Sequence, residues 1–236
     1  MHVAGGGERG RSHANHRPSQ LAQTTPAMFA HTPPPARAPV LANTAAGAAR
    51  GSGSLELNKQ LNQRLVQARR TRELLRLHAE HGGSFNNVNL ATCWSRLGRA
   101  GFKEGFTRQL GALREQTLPT LGGWGARELA NLAHALGKLE ARGDAWSSLW
   151  EAVARAAAQR RGEFSAQSLA NTAWAYATAC HAAPALLDAI AAETARRVRE
   201  FNPQSLTNTA WAYATAGHAE PVLLDAIAAE AAPRVR

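Results

Sequence analysis

Residues 163–199, EFSAQSLANTAWAYATACHAAPALLDAIAAETARRVR, run directly into residues 200–236, EFNPQSLTNTAWAYATAGHAEPVLLDAIAAEAAPRVR. The two segments are identical at 29 of 37 positions, so the chain contains a tandem repeat. Self-similarity at a fixed period of this length is typical of proteins in which each unit buries its apolar face only against its neighbours. The repeat therefore predicts an elongated stack of similar units.

Two fainter copies precede this pair. In all four copies an aromatic residue stands five positions before a leucine: Phe85/Leu90, Trp124/Leu129, Phe164/Leu169 and Phe201/Leu206. The leucines are 39, 40 and 37 residues apart, which gives four units at 84–123, 124–162, 163–199 and 200–236. A period of about 37–40 residues accommodates two helices and two turns. We therefore expect an all-α fold, an α-solenoid of helical-hairpin repeats.

The first 54 residues differ in composition from the repeats. They contain five arginines and one acidic residue, Glu8, among glycine, proline, serine, threonine and alanine. Such a segment cannot bury enough apolar surface to offset its ordering entropy, so we expect residues 1–54 to be disordered. Sparse acids with scattered arginines and hydroxyl residues also fit a mitochondrial or chloroplast transit segment, and a plain low-complexity tail is the alternative.

A leucine-rich stretch at 55–83 joins this segment to the repeats. Five of its leucines approximate one helical stripe: Leu57, Leu61, Leu65, Leu74 and Leu75. Gly82 and Gly83 should end the helix. We interpret the stretch as a leading helix, either the second helix of a degenerate repeat or a cap.

The composition favours a binding protein over an enzyme. The formal charge is +10, and a positive field attracts polyanions. The 17 acidic residues are scattered, and Cys93 and Cys180 belong to no CxxC or Cys/His cluster. We therefore expect no catalytic residues, metal or cofactor. The sequence has no run of eighteen apolar residues, so we expect no membrane insertion.

The third unit shows how one repeat is built. Ser165 can cap a first helix from about 166 to 179, and a break follows at Cys180. The other units have glycine at the end of the first helix, at Gly98, Gly137 and Gly217, where it suits a left-handed C-cap. Leucine and tyrosine fall on one face of this helix, which should be the core face. Polar residues and a tryptophan fall on the other face.

We call this second face, repeated in all four units, the first-helix stripe; it comprises the positions −2, +2, +5 and +9 from each leucine. Eleven of its residues are our candidates for RNA binding: Arg99, Arg127, Asn131, His134, Lys138, Gln167, Asn171, Trp174, Gln204, Asn208 and Trp211. Its other members are Val88, Thr92, Ser95, Thr178 and Thr215. Amides can hydrogen-bond bases, aromatic planes can stack on them, and cations can bind phosphates.

Each class of candidate also has a structural explanation. Trp174 and Trp211 could fill gaps between units instead of stacking on bases. Asn171 and Asn208 have poor helix propensity and could bond to a neighbouring loop instead of a ligand. Arginines recur at the ends of the second helices, where they complement the helix dipole or form a basic ladder for phosphates: Arg160, Arg161, Arg196, Arg197, Arg199, Arg234 and Arg236.

The motifs NVNLATCWSRLGR, ARELANLAHALGK and FNPQSLTNTAWAYATAGH resemble the repeats of octotricopeptide-repeat proteins and of the related FAST-kinase-like, RAP-domain-bearing proteins of organelles. The resemblance covers about residues 60–236. It implies helical hairpins that bind single-stranded mRNA or rRNA in mitochondria or chloroplasts and influence its processing, stability or translation, without catalysis by the repeats. The sequence lacks a RAP-like module and the PPPEW-type signature, so we expect a further C-terminal portion.

A protein-binding scaffold of the tetratricopeptide or HEAT kind is the alternative, because α-solenoids bind peptides as readily as nucleic acids. The basic composition and the amides and aromatics of the first-helix stripe favour single-stranded RNA. Protein partners remain compatible with either function.

Overall fold

A computed structural model describes residues 44–101 and 106–234 of the chain, with the side chains of 44–52, 107 and 234 excepted. Residues 1–43 lie outside the described residues, so the transit-segment prediction is not tested there. The predicted boundary of the disordered segment, after residue 54, is wrong, because residues 44–54 belong to a helix that starts at Thr44. Alanines at 45, 46, 48 and 49 favour a helix despite the intervening glycines.

The described residues are helical and contain no strand, which confirms the all-α prediction. In these residues ten α-helices follow one another: α1 Thr44–Gln67, α2 Thr71–His81, α3 Asn87–Ala100, α4 Thr107–Thr117, α5 Ala126–Lys138, α6 Asp144–Gln159, α7 Ala166–Ala179, α8 Pro184–Arg196, α9 Pro203–Ala216 and α10 Pro221–Ala231. Short 3₁₀ turns follow the even-numbered helices, at Gly82–Ser84, Leu118–Gly123, Arg161–Glu163, Val198–Glu200 and Ala232–Arg234. No helix in the described part of the chain combines the length and apolarity needed to cross a bilayer.

The leading stretch forms two helices, α1 and α2, where the sequence analysis expected one. Helix α1 ends at Gln67, and the backbone of Arg70, just before α2, is extended, with φ −114° and ψ 141°. Arg96 of α3 donates a hydrogen bond from Nη2 to the carbonyl oxygen of Ala68 at 3.0 Å, which satisfies a backbone acceptor at this break. Neither glycine nor proline occurs between the two helices, so this break could not be predicted from the residues around it.

The helices contact one another in two rows. In the first row α1 contacts α3, α3 contacts α5, α5 contacts α7, and α7 contacts α9. In the second row α2 contacts α4, α6 contacts α8, α8 contacts α10, and the 3₁₀ turn after α4 contacts α6. From α3 onward, each odd-numbered helix also contacts the helix that follows it. The first-row helices from α3 onward are those that carry the first-helix stripe.

The core lies between the two rows and uses the residues that the repeat shares. The recurring aromatic–leucine pairs are buried in all four units. The two tyrosines of the repeat are buried as well. Tyr176 donates its hydroxyl hydrogen to the carbonyl oxygen of Trp150 at 2.7 Å, and Tyr213 donates to Leu187 at 2.6 Å. Each bond joins a first helix to the second helix of the preceding unit, so this tyrosine connects neighbouring units.

The helix ends agree with the sequence in part. Ser165 caps α7 by accepting a hydrogen bond from the backbone N–H of Ser168, as predicted. Cys180 and Gly217 have left-handed conformations after α7 and α9, with φ of 54° and 62°. Gly98 and Gly137 are not C-caps, because both lie within helices.

Gly98 and Gly137 allow first-row helices to approach closely. A Cβ atom on Gly98 would lie 2.7 Å from Cα of Ala135, on α5. A Cβ atom on Gly137 would lie 3.1 Å from Cα of Ala175 and from Cζ3 of Trp174, on α7. The two glycines occupy the same position in their units, and this position is explained by close packing between helices and not by helix termination.

Candidate nucleic-acid interface

All eleven candidate residues lie on the first-row helices α3, α5, α7 and α9, and none is buried. Seven are exposed: Arg99, Arg127, Asn131, Lys138, Gln167, Gln204 and Trp211. Four are half-buried: His134, Asn171, Trp174 and Asn208. Because each of these helices contacts the next, the candidates of successive units occupy neighbouring positions. The first-helix stripe therefore faces solvent on four adjacent helices.

The middle of the stripe is a cluster of aromatic and cationic groups. The ring of Trp174 lies 5.3 Å from the ring of His134, between centroids, at an interplanar angle of 45°. Lys138 places Nζ 5.3 Å from the centroid of Trp174, a cation–π contact. Burial lowers the pKa of His134, and the charges of Lys138 and Arg99 lower it further. His134 is therefore neutral at pH 7 and can both donate and accept a hydrogen bond.

The two repeated tryptophans have different surroundings. Trp174 is half-buried and rests against Gly137 of α5, so the packing explanation accounts for part of its surface. Trp211 is 46% exposed. The position on α7 that corresponds to Gly137 is Ala177, whose methyl group leaves less room for an indole. Trp211 consequently offers an open aromatic face, which a base could stack on.

The amide side chains of the stripe make no hydrogen bond to any residue that the structure describes. This holds for Asn131, Asn171 and Asn208, which occupy one position in three successive units, and for Gln167 and Gln204. Among the described residues, no loop residue forms a hydrogen bond with the side chain of Asn171 or Asn208. An amide in mid-helix has poor helix propensity, and these groups direct both donors and acceptors to solvent.

The arginines at the ends of the second helices serve mainly structural contacts. Arg160 donates a hydrogen bond from Nη2 to the carbonyl oxygen of Gly122 at 2.7 Å, and Arg197 donates from Nη1 to that of Phe164 at 2.9 Å. Gly122 belongs to the unit before that of Arg160, whereas Phe164 lies at the start of the same unit as Arg197. Arg197 also binds Glu193 and Glu200, so its charge is compensated. Part of the basic ladder therefore forms contacts within the protein that hold the units in place. The side chains of Arg234 and Arg236 lie outside the described residues.

Helix α1 also places polar residues next to the first-helix stripe, which was not predicted from the sequence. Lys59 and Gln63 stand two positions before and after Leu61, which is 1% exposed. With Val88 of α3 they line a shallow pocket of about 370 Å³. The spacing around Leu61 matches that around the repeat leucines and could have identified α1 as a further first helix. The prediction of a second helix for this stretch does not fit α1, which contacts α3 in the first row.

Comparison with known proteins does not identify a family for this chain. No protein-family model matches the sequence, and no curated protein matches it significantly.

Proposed function

We propose that this protein is a non-catalytic α-solenoid that binds single-stranded RNA along its first-helix stripe. The observation that carries the proposal is a row of amides on adjacent helices, beside the Arg99, Lys138 and Trp174 cluster. These amides are exposed or half-buried and hydrogen-bond to none of the described residues. The sequence-based resemblance adds the proposal that the RNA is an organellar mRNA or rRNA, in a mitochondrion or chloroplast. Binding there would influence RNA processing, stability or translation.

The stripe combines the three kinds of group that recognise single-stranded RNA. Asn and Gln can form paired hydrogen bonds with base edges that are accessible only when the bases are unpaired. The exposed face of Trp211 can stack on any base, a contact worth roughly 1–3 kcal/mol. Arg99, Arg127 and Lys138 can neutralise phosphates. If each unit contacts about one base, four units would contact only a few nucleotides.

A protein-binding scaffold is less well supported by the same surface. A peptide groove in a helical-repeat protein needs apolar pockets for side chains, whereas the first-helix stripe consists mostly of amide, hydroxyl and cationic side chains. Trp211 and Val88 are its exposed large apolar side chains. As part of the same RNA-binding proposal, we infer that the chain is not an enzyme and needs no cofactor to bind RNA.

The test is a binding titration with single-stranded and double-stranded RNA at two salt concentrations. We expect binding of single strands that weakens steeply with salt, with a slope of about −0.7 for each neutralised phosphate. Arg127→Gln and Lys138→Gln should each reduce the magnitude of that slope by roughly 0.7 and weaken binding of all RNA sequences similarly.

Arg155→Gln is the matched control, because Arg155 is an exposed arginine on α6, in the second row. It removes the same charge from the other layer and should leave RNA affinity nearly unchanged. Equal losses for Arg155→Gln and Arg127→Gln would mean that binding is diffuse attraction to a basic protein. Equal affinity for duplex and single strands would also refute the proposal.

A further inference from the structure

Three potential metal ligands meet where the third unit contacts the fourth. Asp188 lies on α8, His218 follows α9, and Glu220 immediately precedes α10. Nε2 of His218 is 2.7 Å from Oδ1 of Asp188 and 3.6 Å from Oε1 of Glu220. The three ligand atoms all lie within 4.8 Å of one another. These residues are on the second-row side of the molecule and take no part in the first-helix stripe.

The backbone and a ring contact hold the imidazole in place. The N–H of His218 donates a hydrogen bond to the carbonyl oxygen of Tyr213 at 3.1 Å, and the two rings lie 5.9 Å apart. His181, the equivalent residue one unit earlier, makes the same bond to Tyr176 at 3.1 Å and lies 6.0 Å from its ring. The repeat therefore positions both histidines in the same way.

The two junctions differ in the number of available ligands. At the earlier junction the equivalents of Asp188 and Glu220 are Glu151 and Ala183. That junction has one carboxylate, and His181 stacks on Trp150 at 5.9 Å between centroids. At the later junction Trp150 is replaced by Leu187, and the alanine is replaced by Glu220. Of these two junctions, only the one between the third and fourth units has the third ligand, Glu220.

We propose that Asp188, His218 and Glu220 bind a divalent transition-metal ion of the zinc type. Imidazole nitrogen with carboxylate oxygens is a donor set that suits zinc, whereas magnesium and calcium prefer oxygen alone. Ligand bonds of about 2.0–2.2 Å in a tetrahedral site place ligand atoms roughly 3.3 Å apart. The observed 2.7 and 3.6 Å lie on either side of that value, and a water molecule would complete the coordination.

The side chains have the freedom to adjust to an ion. The side chains of Asp188 and Glu220 are 60% and 30% exposed. Glu220 makes no side-chain capping bond to α10, so its carboxylate is not needed to start that helix. Asp188 and His218 come from different units, and the ion would therefore bind only when the junction is folded. Binding should accordingly stabilise the junction of the last unit.

The experiment measures thermal unfolding and calorimetric binding of the full chain with zinc chloride, with magnesium chloride as the comparison. Zinc at about tenfold excess over its dissociation constant should raise the Tm by about 3 °C, and magnesium should not. Glu220→Ala, which restores the alanine of the earlier junction, should weaken zinc binding at least about tenfold and remove the Tm increase. Asp188→Asn should do the same.

Asp225→Asn is the matched control, because Asp225 is the repeat equivalent of Asp188 and lies outside the cluster. It should retain the full zinc response. The proposal is overturned if zinc leaves the Tm of the unaltered chain unchanged, which would leave His218 and Asp188 as a simple hydrogen-bonded pair. It is also overturned if Glu220→Ala responds to zinc as the unaltered chain does, since the ion would then bind elsewhere.

Discussion

Replacing Gly98 by alanine should destabilise the protein even though alanine is the better helix former. Gly98 lies inside α3, where the change to alanine would by propensity alone contribute about 1 kcal/mol of stability. The added Cβ would lie 2.7 Å from Cα and 2.9 Å from Cβ of Ala135 on α5. A backbone atom cannot rotate away, so α3 and α5 would have to separate by about 1 Å to restore ordinary contact.

Overpacking of this kind costs about 1–3 kcal/mol. Because the clash is with a backbone atom, the cost should lie in the upper part of this range, about 2–3 kcal/mol. After the gain in propensity, we expect a net loss of about 1–2 kcal/mol, which lowers the Tm by about 2–8 °C for a chain of this size. Gly111→Ala in α4 is the control, because a Cβ there meets nothing within 4 Å. That change should raise the Tm by about 2 °C.

Circular dichroism at 222 nm during heating, with urea unfolding as a second measurement, will compare the two variants. The reasoning requires opposite signs for Gly98→Ala and Gly111→Ala. If both variants were stabilised, α3 and α5 would not be packed at the distance that the glycine implies. The explanation of Gly98 as a packing residue would then be wrong.

Two further predictions concern contacts within and between units. Tyr213→Phe removes the hydrogen bond to the carbonyl oxygen of Leu187 and should cost about 1 kcal/mol in urea unfolding, with RNA binding unchanged; a neutral effect would show that the bond does not hold the units together. The pKa of Glu193 is lowered by its hydrogen bond from Arg196, against the effect of burial, and further by Arg197. Its contribution to stability is therefore complete above about pH 4.5 and is lost as the pH falls through the lowered value, so Glu193→Gln should flatten the decline in Tm between pH 6 and pH 3. An unchanged pH profile in that variant would contradict the assignment.

The repeat itself made much of the first-row structure predictable. Once two units are aligned, the period of a helix assigns each position to the core face or to the solvent face. Leu169 is buried on the core face and Asn171 is half-buried on the other face, as expected. The cap at Ser165 followed from local chemistry, because its hydroxyl needs only the backbone N–H three residues later. Such features depend on neighbours in the sequence, and one unit is enough to specify them.

Features that depend on contacts between units were not predictable in this way. Gly137 looked like a helix end because glycine favours left-handed turns, but its role is set by Ala175 on another helix. The meeting of Asp188 and His218 across 30 residues leaves no local pattern. The hydrogen bond of Arg160 to Gly122 was not predictable for the same reason, since a cation near a helix end has an adequate local explanation.

The spacing of the first-row helices bears on which nucleic acid the proposed interface can accept. Helices that pack closely through glycine and alanine have axes about 8 Å apart, at the short end of the usual range. Stacked bases are only about 3.4 Å apart along a strand. An RNA that presents one base to Asn131, the next to Asn171 and the next to Asn208 must therefore be unstacked and extended between units. A duplex holds its bases paired and stacked and cannot make this adjustment without melting. Preference for single strands would thus follow from the helix spacing, while the amides and Trp211 would determine which unstacked bases are favoured.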